Sequence, residues 1–264
     1  MTALYNRVAT VSVADRSFSF PPFSIEFTQE IKFKGPQSAT LKLYNPAPET
    51  VGVFDAKPKG GGKVFPTVTV SAGYKEDSGT VILGEAFAYT LTREAQDRIL
   101  EIKISDAATR WGTAMINKSY KNSSAEAIVR DICKTLNLTP GEITLGVGKF
   151  YESIVLRGFR ESIAKISRDT NSDFFFKNGL LTIIPSNPNV TSIVSLDPAS
   201  GLLERPEKTS YGYKIKTLFL YNLILGSVVQ IKSEEVNVRA KICKVNRTFS
   251  TFGDAYCEFE VEPI

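Results

Sequence analysis

Apolar and polar residues alternate along the first 110 residues, which is the period of a strand with one buried face. Phe23, Ile25 and Phe27 would share one face of such a strand, because side chains point alternately to its two sides. Four further segments show the pattern: 39–44, 64–72, 81–92 and 98–104. Turn-forming residues such as Asn45 and Pro46 separate them. Many short strands at this spacing predict an antiparallel barrel or sandwich.

A basic, glycine-rich segment, KPKGGGK, interrupts this pattern at residues 57–63. Three successive glycines favour a flexible hairpin tip. A phosphate-binding loop would need Ser or Thr after its lysine and a helix behind it. Val64 occupies that position and no helical pattern follows, so we predict a turn and not a phosphate loop.

The spacing of apolar residues becomes helical after residue 123. The segment Ser123–Glu126 predicts a capping box, in which a serine side chain accepts from the N3 amide while Glu126 reaches back. Apolar residues then repeat on one face: Ala125, Ile128, Val129, Ile132, Cys133 and Leu136. The pattern predicts a helix over residues 124–136. A second helix is predicted over about 159–169, with Asn171 as the left-handed residue that ends it.

The clearest turn signal is Asn178–Gly179, which separates the apolar runs 174–176 and 180–184. Asn-Gly between two such runs predicts a β-hairpin, because both turn positions need positive φ. The two helices and this hairpin predict a small α+β unit.

Strand patterning resumes beyond a segment rich in Pro, Ser and Asn at residues 185–200. We interpret that segment as a linker with an edge strand at Ile193–Leu196. Four later segments predict strands: 211–220, 227–233, 238–248 and 254–262. The predicted fold is therefore mainly β with an α+β insert. Two antiparallel β-barrel modules, residues 1–110 and 191–264, would flank a helix–helix–hairpin domain at residues 111–190.

The composition is that of an ordinary globular protein, with 42% hydrophobic and 23% charged residues. A net charge of +4 is too small to predict nucleic-acid binding. The N-terminus lacks the apolar stretch of a signal peptide, and no apolar run approaches about 18 residues. We therefore expect a protein that is synthesised in the cytoplasm and joins a soluble assembly without membrane insertion.

Three cysteines, Cys133, Cys243 and Cys257, form no CxxC pair. The odd number leaves at least one free thiol, which suits a reducing cytoplasm. Buried, unpaired thiols are the favoured interpretation, and a disulfide between Cys243 and Cys257 is the alternative.

The chain contains no histidine, which removes the commonest general base and the usual zinc ligand. Chemistry that uses only carboxylates remains open, because glycosidases need two acids at a suitable separation. Glu152, Glu161 and Asp173 are the candidates for such a pair, although nothing in their spacing separates them from surface acids. We predict no catalytic, cofactor-binding or metal-binding residue.

Two short motifs resemble ligand-binding loops but lack essential positions. The segment 169–173, DTNSD, begins like a calcium loop, but Phe174 replaces its glycine and Leu180 its final glutamate. Gly146 and Gly148 match part of a dinucleotide loop whose third glycine is replaced by Tyr151. Both segments are predicted to be turns.

Basic residues alternate with apolar ones in KFK at 32–34 and YKIK at 213–216. On a strand this alternation usually means one buried and one solvated face. An electropositive lining of a central channel is the alternative interpretation.

The whole chain resembles the hub proteins of phage tails and related contractile injection systems, including the hub part of type VI secretion spike proteins. The resemblance rests on the order of several weak motifs: FPPFSIEF at 20–27, ATLKLYN at 39–45, VTVSAGY at 68–74, ILG at 82–84, AEAIVRDI at 125–132, LRGF at 156–159, GLLERP at 201–206 and ILGSVVQIKS at 224–233. Hubs often carry a histidine in the strand that here includes Asn246, so nothing that depends on it applies to this chain.

The resemblance implies a structural tail or baseplate protein of a virion, and no enzyme or cofactor. It implies a homotrimer whose two barrels per subunit form a pseudo-six-fold ring between the hexameric tail tube and the three-fold central spike. Further expected partners are other baseplate or tail-tip proteins, with the tape measure or passing DNA in the channel. We expect the strands at 24–27 and 213–217 to complete the ring across subunits.

Two other functions stay open. A tail-tip module that binds a receptor or carbohydrate would show an exposed aromatic cluster. A carboxylate-dependent peptidoglycan glycosidase would use the acids named above.

Overall fold

A computed structural model of the chain describes residues 6–55, 65–187 and 193–264. The basic segment 57–63 predicted as a hairpin tip, and residues 188–192 of the predicted linker, lie outside the described residues. The elements follow in chain order: β1 (Arg7–Val13), β2 (Arg16–Phe20), β3 (Ile25–Lys32), β4 (Ser38–Tyr44), α1 (Pro48–Asp55), β5 (Thr67–Tyr74), β6 (Asp77–Glu94), β7 (Asp97–Ser105), α2 (Ala108–Thr113), β8 (Asn117–Ser124), α3 (Ala125–Thr135), β9 (Pro140–Ile143), β10 (Phe150–Arg157), α4 (Phe159–Asp169), β11 (Ser172–Lys177), β12 (Leu180–Pro185), β13 (Ile193–Leu196), β14 (Glu207–Lys208), β15 (Tyr213–Leu218), β16 (Val228–Lys232), β17 (Asn237–Ser250) and β18 (Ala255–Pro263).

The N-terminal and C-terminal β modules belong to one 13-stranded sheet. Its main path runs β14-β15-β18-β17-β3-β4-β7-β6-β5-β1-β2. The long strand β17 makes the connection, because one of its edges pairs with β18 and the other pairs first with β16 and then with β3. The described part of this sheet keeps two ends and is not closed into a barrel. The prediction of a mainly β chain is confirmed, whereas the arrangement as two barrels is not.

Inward-facing residues of both β modules form a single hydrophobic core, as the continuous sheet requires. Alternation sets which residues are buried: in β3, Ile25, Phe27 and Ile31 face the core. Phe27 stacks on Phe249 of β17 with ring centroids 5.3 Å apart. Phe219 meets both rings edge-on, at 5.9 and 5.1 Å. Such aromatic pairs add about 0.5–1.5 kcal/mol each beyond their buried area.

The insert has a second hydrophobic core, in which α3 and α4 cover one face of a three-stranded sheet. In that sheet β12 lies between β11 and the parallel strand β9. A separate ribbon pairs β8 with β10. Both predicted helices are present, and Asn171 has the expected left-handed conformation, with φ of 49°. The predicted hairpin is also present, with φ of 53° at Asn178 and 81° at Gly179.

The capping box of α3 forms differently from the prediction. Ser124 is the N-cap residue and its side chain accepts from the backbone N–H of Ala127 at 3.3 Å. Glu126 instead accepts from Arg130, four residues along the same helix. The helix begins one residue later than a complete capping box at Ser123 would require, so Glu126 points along the helix surface.

The three cysteines are free, with Cys133 and Cys257 buried and Cys243 half-buried, so the alternative disulfide does not form. The predicted edge strand is confirmed as β13, which pairs in parallel with β16. Among the helices of the described residues, none is long and apolar enough to cross a membrane.

Candidate functional site

The two β modules and the insert meet at four buried polar residues, which we call the junction relay: Gln29, Gln37, Asp106 and Arg247. Gln29 lies in β3, Gln37 in the loop before β4, Asp106 directly after β7, and Arg247 in β17. Each is at most 7% exposed. Polar groups are costly to bury unless they are hydrogen-bonded, so their partners define how the three units are held together.

Arg247 begins the relay in the C-terminal module, where it sits between the core residues Val245 and Phe249. Its guanidinium donates to Gln29 Oε1 at 2.9 Å. It also donates to the carbonyl oxygens of Tyr221 at 2.9 Å and Leu223 at 2.6 Å. Burial lowers the pKa of the guanidinium from its usual value. Arg247 therefore ties the loop before β16 to the N-terminal module.

Gln29 and Gln37 extend the relay towards the insert. The Gln29 amide nitrogen donates to Gln37 Oε1 at 2.7 Å and to the carbonyl oxygen of Val81 at 3.0 Å. The Gln37 amide nitrogen donates to the carbonyl oxygen of Phe176 in β11 at 2.8 Å. The Gln37 backbone N–H donates to Asp106 Oδ1 at 2.9 Å. Hydrogen bonds thus run in one direction from a buried cation to a buried carboxyl.

Asp106 ends the relay beside the insert hairpin. Burial raises the pKa of its carboxyl to about 7, against the opposing effect of backbone N–H groups of Gln37, Gly179 and Asn178. Oδ2 is buried and has no hydrogen-bond partner among the described residues. The side chain of Asn178 accepts from the backbone N–H of Leu83 at 3.1 Å, so the same hairpin turn also binds β6.

A second contact joins the same units on the other side of the hairpin. Lys241 of β17 is 5% exposed and pairs with Asp173 of β11 at 3.2 Å. It also donates to the carbonyl oxygen of Ser186 at 2.7 Å and lies 5.4 Å from the ring of Phe33. Phe33 in turn meets Phe175 edge-on at 5.9 Å. The insert is therefore fixed to both β modules by buried polar and aromatic contacts.

The acids named from the sequence lie on three different elements. Glu152 is exposed on β10 and Glu161 is exposed in the first turn of α4. Asp173 serves as the partner of Lys241. In the calcium-like segment, Asp169 accepts from Lys165 and from the Tyr151 hydroxyl. Within the described ranges, no group of three His, Cys, Asp or Glu side chains could hold a metal ion.

The solvated face of β15, β18, β17 and β3 carries alternating charges, and we call it the charge ladder. Its ion pairs cross between neighbouring strands: Lys214–Glu258 at 3.0 Å, Lys244–Glu260 at 3.4 Å and Lys244–Glu30 at 3.7 Å. Two further basic residues also have acidic neighbours: Lys216 pairs with Glu204 at 2.7 Å, and Lys32 with Glu30 at 3.7 Å. The lysines proposed to make a basic lining therefore lie in a face of mixed charge.

The strands expected to complete a ring already have partners within the chain. Strand β3 is paired on both edges, with β4 and with β17, so the expectation for residues 24–27 is wrong. Strand β15 pairs with β18, and its other edge meets β14 and a bridge between Leu202 and Thr217. Among the described residues, an unpaired edge lies instead on β6 at residues 90–94, because pairing with β5 stops at Glu85 while pairing with β7 continues to Glu94.

The junction relay was missed from the sequence, although part of its signal is present. Arg247 occupies an inward position of the alternating segment 238–248, where an apolar residue is expected. A charged residue at such a position indicates a buried polar contact. Gln37 and Asp106 lie in loops, so no periodicity marks them as buried.

Solved structures of phage tail proteins share this fold over nearly the whole chain. The 43 kDa tail protein of prophage MuSo2 from Shewanella oneidensis matches with a TM-score of 0.72, 11% identity, and 98% of each chain covered. A tail protein from Neisseria meningitidis matches with a TM-score of 0.69 and 9% identity, covering 98% of this chain and 97% of the other.

A component of the type VI secretion system from Escherichia coli, described as structurally similar to the T4 tail proteins gp27 and gp5, also shares the fold. Its TM-score is 0.65 at 10% identity, with 96% of this chain and 76% of the other covered. No protein-family model matches the sequence, and no curated protein matches it. At these identities the likeness establishes the fold, and the matching structures come from the group of tail proteins that the order of the sequence motifs resembles.

Proposed function

We propose that the chain is a structural hub of a phage-type tail, which forms a trimeric, pseudo-six-fold ring and joins the hexameric tail tube to the three-fold central spike. The observation that carries the proposal is the fusion of two β modules through β17 and β3 into one sheet with one core. Two β modules held rigidly in each subunit would let three copies present six similar surfaces.

The extent of the structural likeness supports a role in a tail. The Shewanella and Neisseria proteins, both described as tail proteins, are covered over 98% and 97% of their length. The likeness therefore extends over the insert and both β modules, and it is not limited to a single β domain. It supports a role in the tail or baseplate of a virion, with the tail tube, the spike and other baseplate proteins as partners.

The ring would close through the open edge of β6. Residues 90–94 pair on one side with β7, and no strand of the described residues pairs with their other side, which is left for a neighbouring subunit. The strand β14, which has only two residues, is one end of the same sheet, and its outer edge would receive the β6 edge of the neighbour. An unpaired strand edge promotes aggregation unless another chain covers it. This edge is therefore a physically reasonable subunit interface. The charge ladder would then line the channel through which the tape measure or DNA passes.

The oligomeric state of the purified chain tests this proposal. We expect native mass spectrometry at high protein concentration to detect a trimer. Replacing Leu91, which is exposed on the open part of β6, with Lys should shift the population to monomer, while the thermal midpoint measured at concentrations where both proteins are monomeric should not change. Val155→Lys, on the exposed face of β10, is the matched control and should leave the trimer intact. A wild-type chain that stays monomeric, both alone and in assembled particles, would overturn the proposal.

We also propose that the chain has no catalytic role. Asp173 is engaged by Lys241, which leaves Glu152 and Glu161 as exposed acids on separate elements. Zymography against peptidoglycan tests this point, and we expect no clearing. Clearing that is lost in Glu152→Gln or Glu161→Gln would establish a glycosidase.

One observation favours a second candidate function, a tail-tip module for a receptor or carbohydrate. Phe252 is 77% exposed in the turn before β18, and its ring meets Phe20 edge-on at 5.3 Å. Phe23, partly exposed, packs beside them on Phe18 at 5.4 Å. Binding of the isolated chain to host cells, lost in Phe252→Ala but kept in Tyr211→Ala, would support this candidate over the hub. Tyr211 is also a highly exposed aromatic residue but lies in a different loop.

A further inference from the structure

Asp106 occupies a position where its charge affects the contact between two units. It follows β7 in the N-terminal module, and the hairpin turn Asn178–Gly179 of the insert lies against it. A Cβ added to Gly179 would stand 3.4 Å from the Asp106 carbonyl oxygen, which shows how closely the turn approaches. The carboxyl is therefore enclosed by the insert itself, and would meet water if the hairpin moved away.

The enclosed position of the carboxyl favours its neutral form over its charged form. It is 7% exposed, and Oδ2 has no hydrogen-bond partner among the described residues. A buried carboxylate with one oxygen unpartnered loses hydration that nothing replaces, which penalises the charge. Backbone N–H groups of Gln37, Gly179 and Asn178 favour the charge but do not outweigh burial, so the pKa rises to about 7.

The elements packed around this carboxyl contain several other ionisable side chains. They are Lys34 before Gln37, Glu85 on β6 opposite Ser105, Lys103 on β7 and Lys177 on β11. Arg247 lies at the other end of the junction relay, separated from Asp106 by two glutamine side chains. The Asp106 carboxyl is distinguished by the backbone N–H groups of Asn178 and Gly179 in the hairpin turn, which donate to it.

We propose that Asp106 is a pH-responsive latch, whose neutral form holds the insert hairpin against the N-terminal β module and whose ionisation loosens it. The direction follows from proton linkage. When the hairpin is docked the carboxyl holds its proton up to near neutral pH, and when the hairpin is displaced the exposed carboxyl releases it near its ordinary pKa of about 4. Docking of the hairpin is strongest below about pH 4, weakens as the pH rises from about 4 to about 7, and does not depend on pH above about 7.

The insert has its own hydrophobic cluster, but Phe175 of β11 also belongs to the core of the β modules and Ile184 of β12 packs against that core. Displacement of the hairpin is therefore a rare opening that exposes both side chains. The polar contacts that must separate include the Gln37 amide to Phe176, the Lys34 backbone N–H to Phe174 at 2.7 Å, and Asn178 to Leu83. The edge-on contact of Phe33 with Phe175 must separate as well. Lys241 and Asp173 remain as a tether on the other side of the hairpin. The inference does not depend on the proposed role as a hub.

Hydrogen exchange of the full chain between pH 5 and pH 8.5, corrected for intrinsic exchange rates, tests the latch. We expect the amides of β11 and β12 to lose protection as pH rises, by up to about tenfold per pH unit up to about pH 7. Amides of β4 and β17 should not change. Asp106→Asn, which stays neutral, should abolish this pH dependence and keep protection high. Asp15→Asn removes an exposed carboxylate and is the matched control, with the wild-type pH dependence.

A direct titration of the wild-type carboxyl by carbon NMR keeps the test valid if Asp106→Asn does not fold. An Asp106 carboxyl, assigned in the wild type through its connectivity to the backbone, that titrates near pH 7 supports the latch. An Asp106 that titrates near pH 4 overturns it. Hairpin protection that is independent of pH in the wild type, or a pH dependence that is unchanged in Asp106→Asn, would overturn it as well.

Discussion

Arg247 shows how a single buried residue can decide the relation between two modules. It is 2% exposed, and its donors reach Gln29 and two backbone carbonyl oxygens. Its Nε has no hydrogen-bond partner among the described residues. Burying a guanidinium costs free energy, but removing this one would leave three buried acceptors without donors.

Replacing Arg247 with Met should therefore lower the free energy of unfolding by about 3 kcal/mol, since the similar volume preserves packing while the acceptors stay buried. Chemical denaturation followed by tryptophan fluorescence would measure it. Arg239→Met on the exposed part of the same strand is the control and should change stability by less than about 0.5 kcal/mol. Equal effects for the two variants would show that the relay contributes nothing specific.

Lys241 and Asp173 form the second buried polar contact, with side chains 7% and 18% exposed. Lys241→Met alone should cost roughly 3 kcal/mol, because it leaves Asp173 and the carbonyl oxygen of Ser186 without their donor. The double variant Lys241→Met, Asp173→Asn should recover part of this loss. A double-mutant cycle measures the coupling, and a coupling energy near zero would contradict the assigned role.

At the scale of elements, periodicity predicted the regular parts of the fold well. The helices α3 and α4, the hairpin at Asn178–Gly179 and the strand β13 all lie where their sequence patterns indicated. Each of these has a local cause: helical spacing of apolar residues, a turn that needs positive φ, or a short apolar run. Such local causes are visible in one segment of sequence.

Other elements lack a local cause and were not predicted. Strand β8 reads NKSYKNSS and has almost no apolar face, so only its pairing with β10 makes it a strand. Helix α1 contains Gly52 and has weak amphipathicity, and α2 has only six residues. The pairing of β17 with β3, which fuses the modules, joins residues more than 200 positions apart. No pattern within either strand reveals that partner.

Gly84 marks a place where β6 approaches the end of β7 too closely for a side chain. A Cβ there would lie 2.6 Å from the backbone oxygen of Ser105. Gly84→Ala should destabilise the protein by about 2–3 kcal/mol, because backbone and not a flexible side chain must move. Gly52→Ala is the control, since its Cβ would have no atom within 4 Å and should stabilise helix α1 by up to about 1 kcal/mol. Thermal unfolding of both variants would distinguish a steric effect from a general effect of losing glycine.

At the scale of the whole molecule, the proposed function depends on how the units are joined more than on any single side chain. One sheet and one core join the β modules, and the junction relay and Lys241 fix the insert to both. The sequence predicted three units, but it could not show that the two β modules share one sheet and one core. The division into residues 1–110, 111–190 and 191–264 stays a prediction, although the separate core of the insert agrees with it.

The central claim is that three copies of this rigid body form a ring through the open edge of β6. Electron cryomicroscopy of the assembled particle tests it most directly. The hub proposal predicts three copies around the tail axis, between tube and spike, with residues 90–94 of each copy beside the β14 edge of the next. A single copy on the axis, or copies at the periphery whose β6 edge faces solvent, would contradict it.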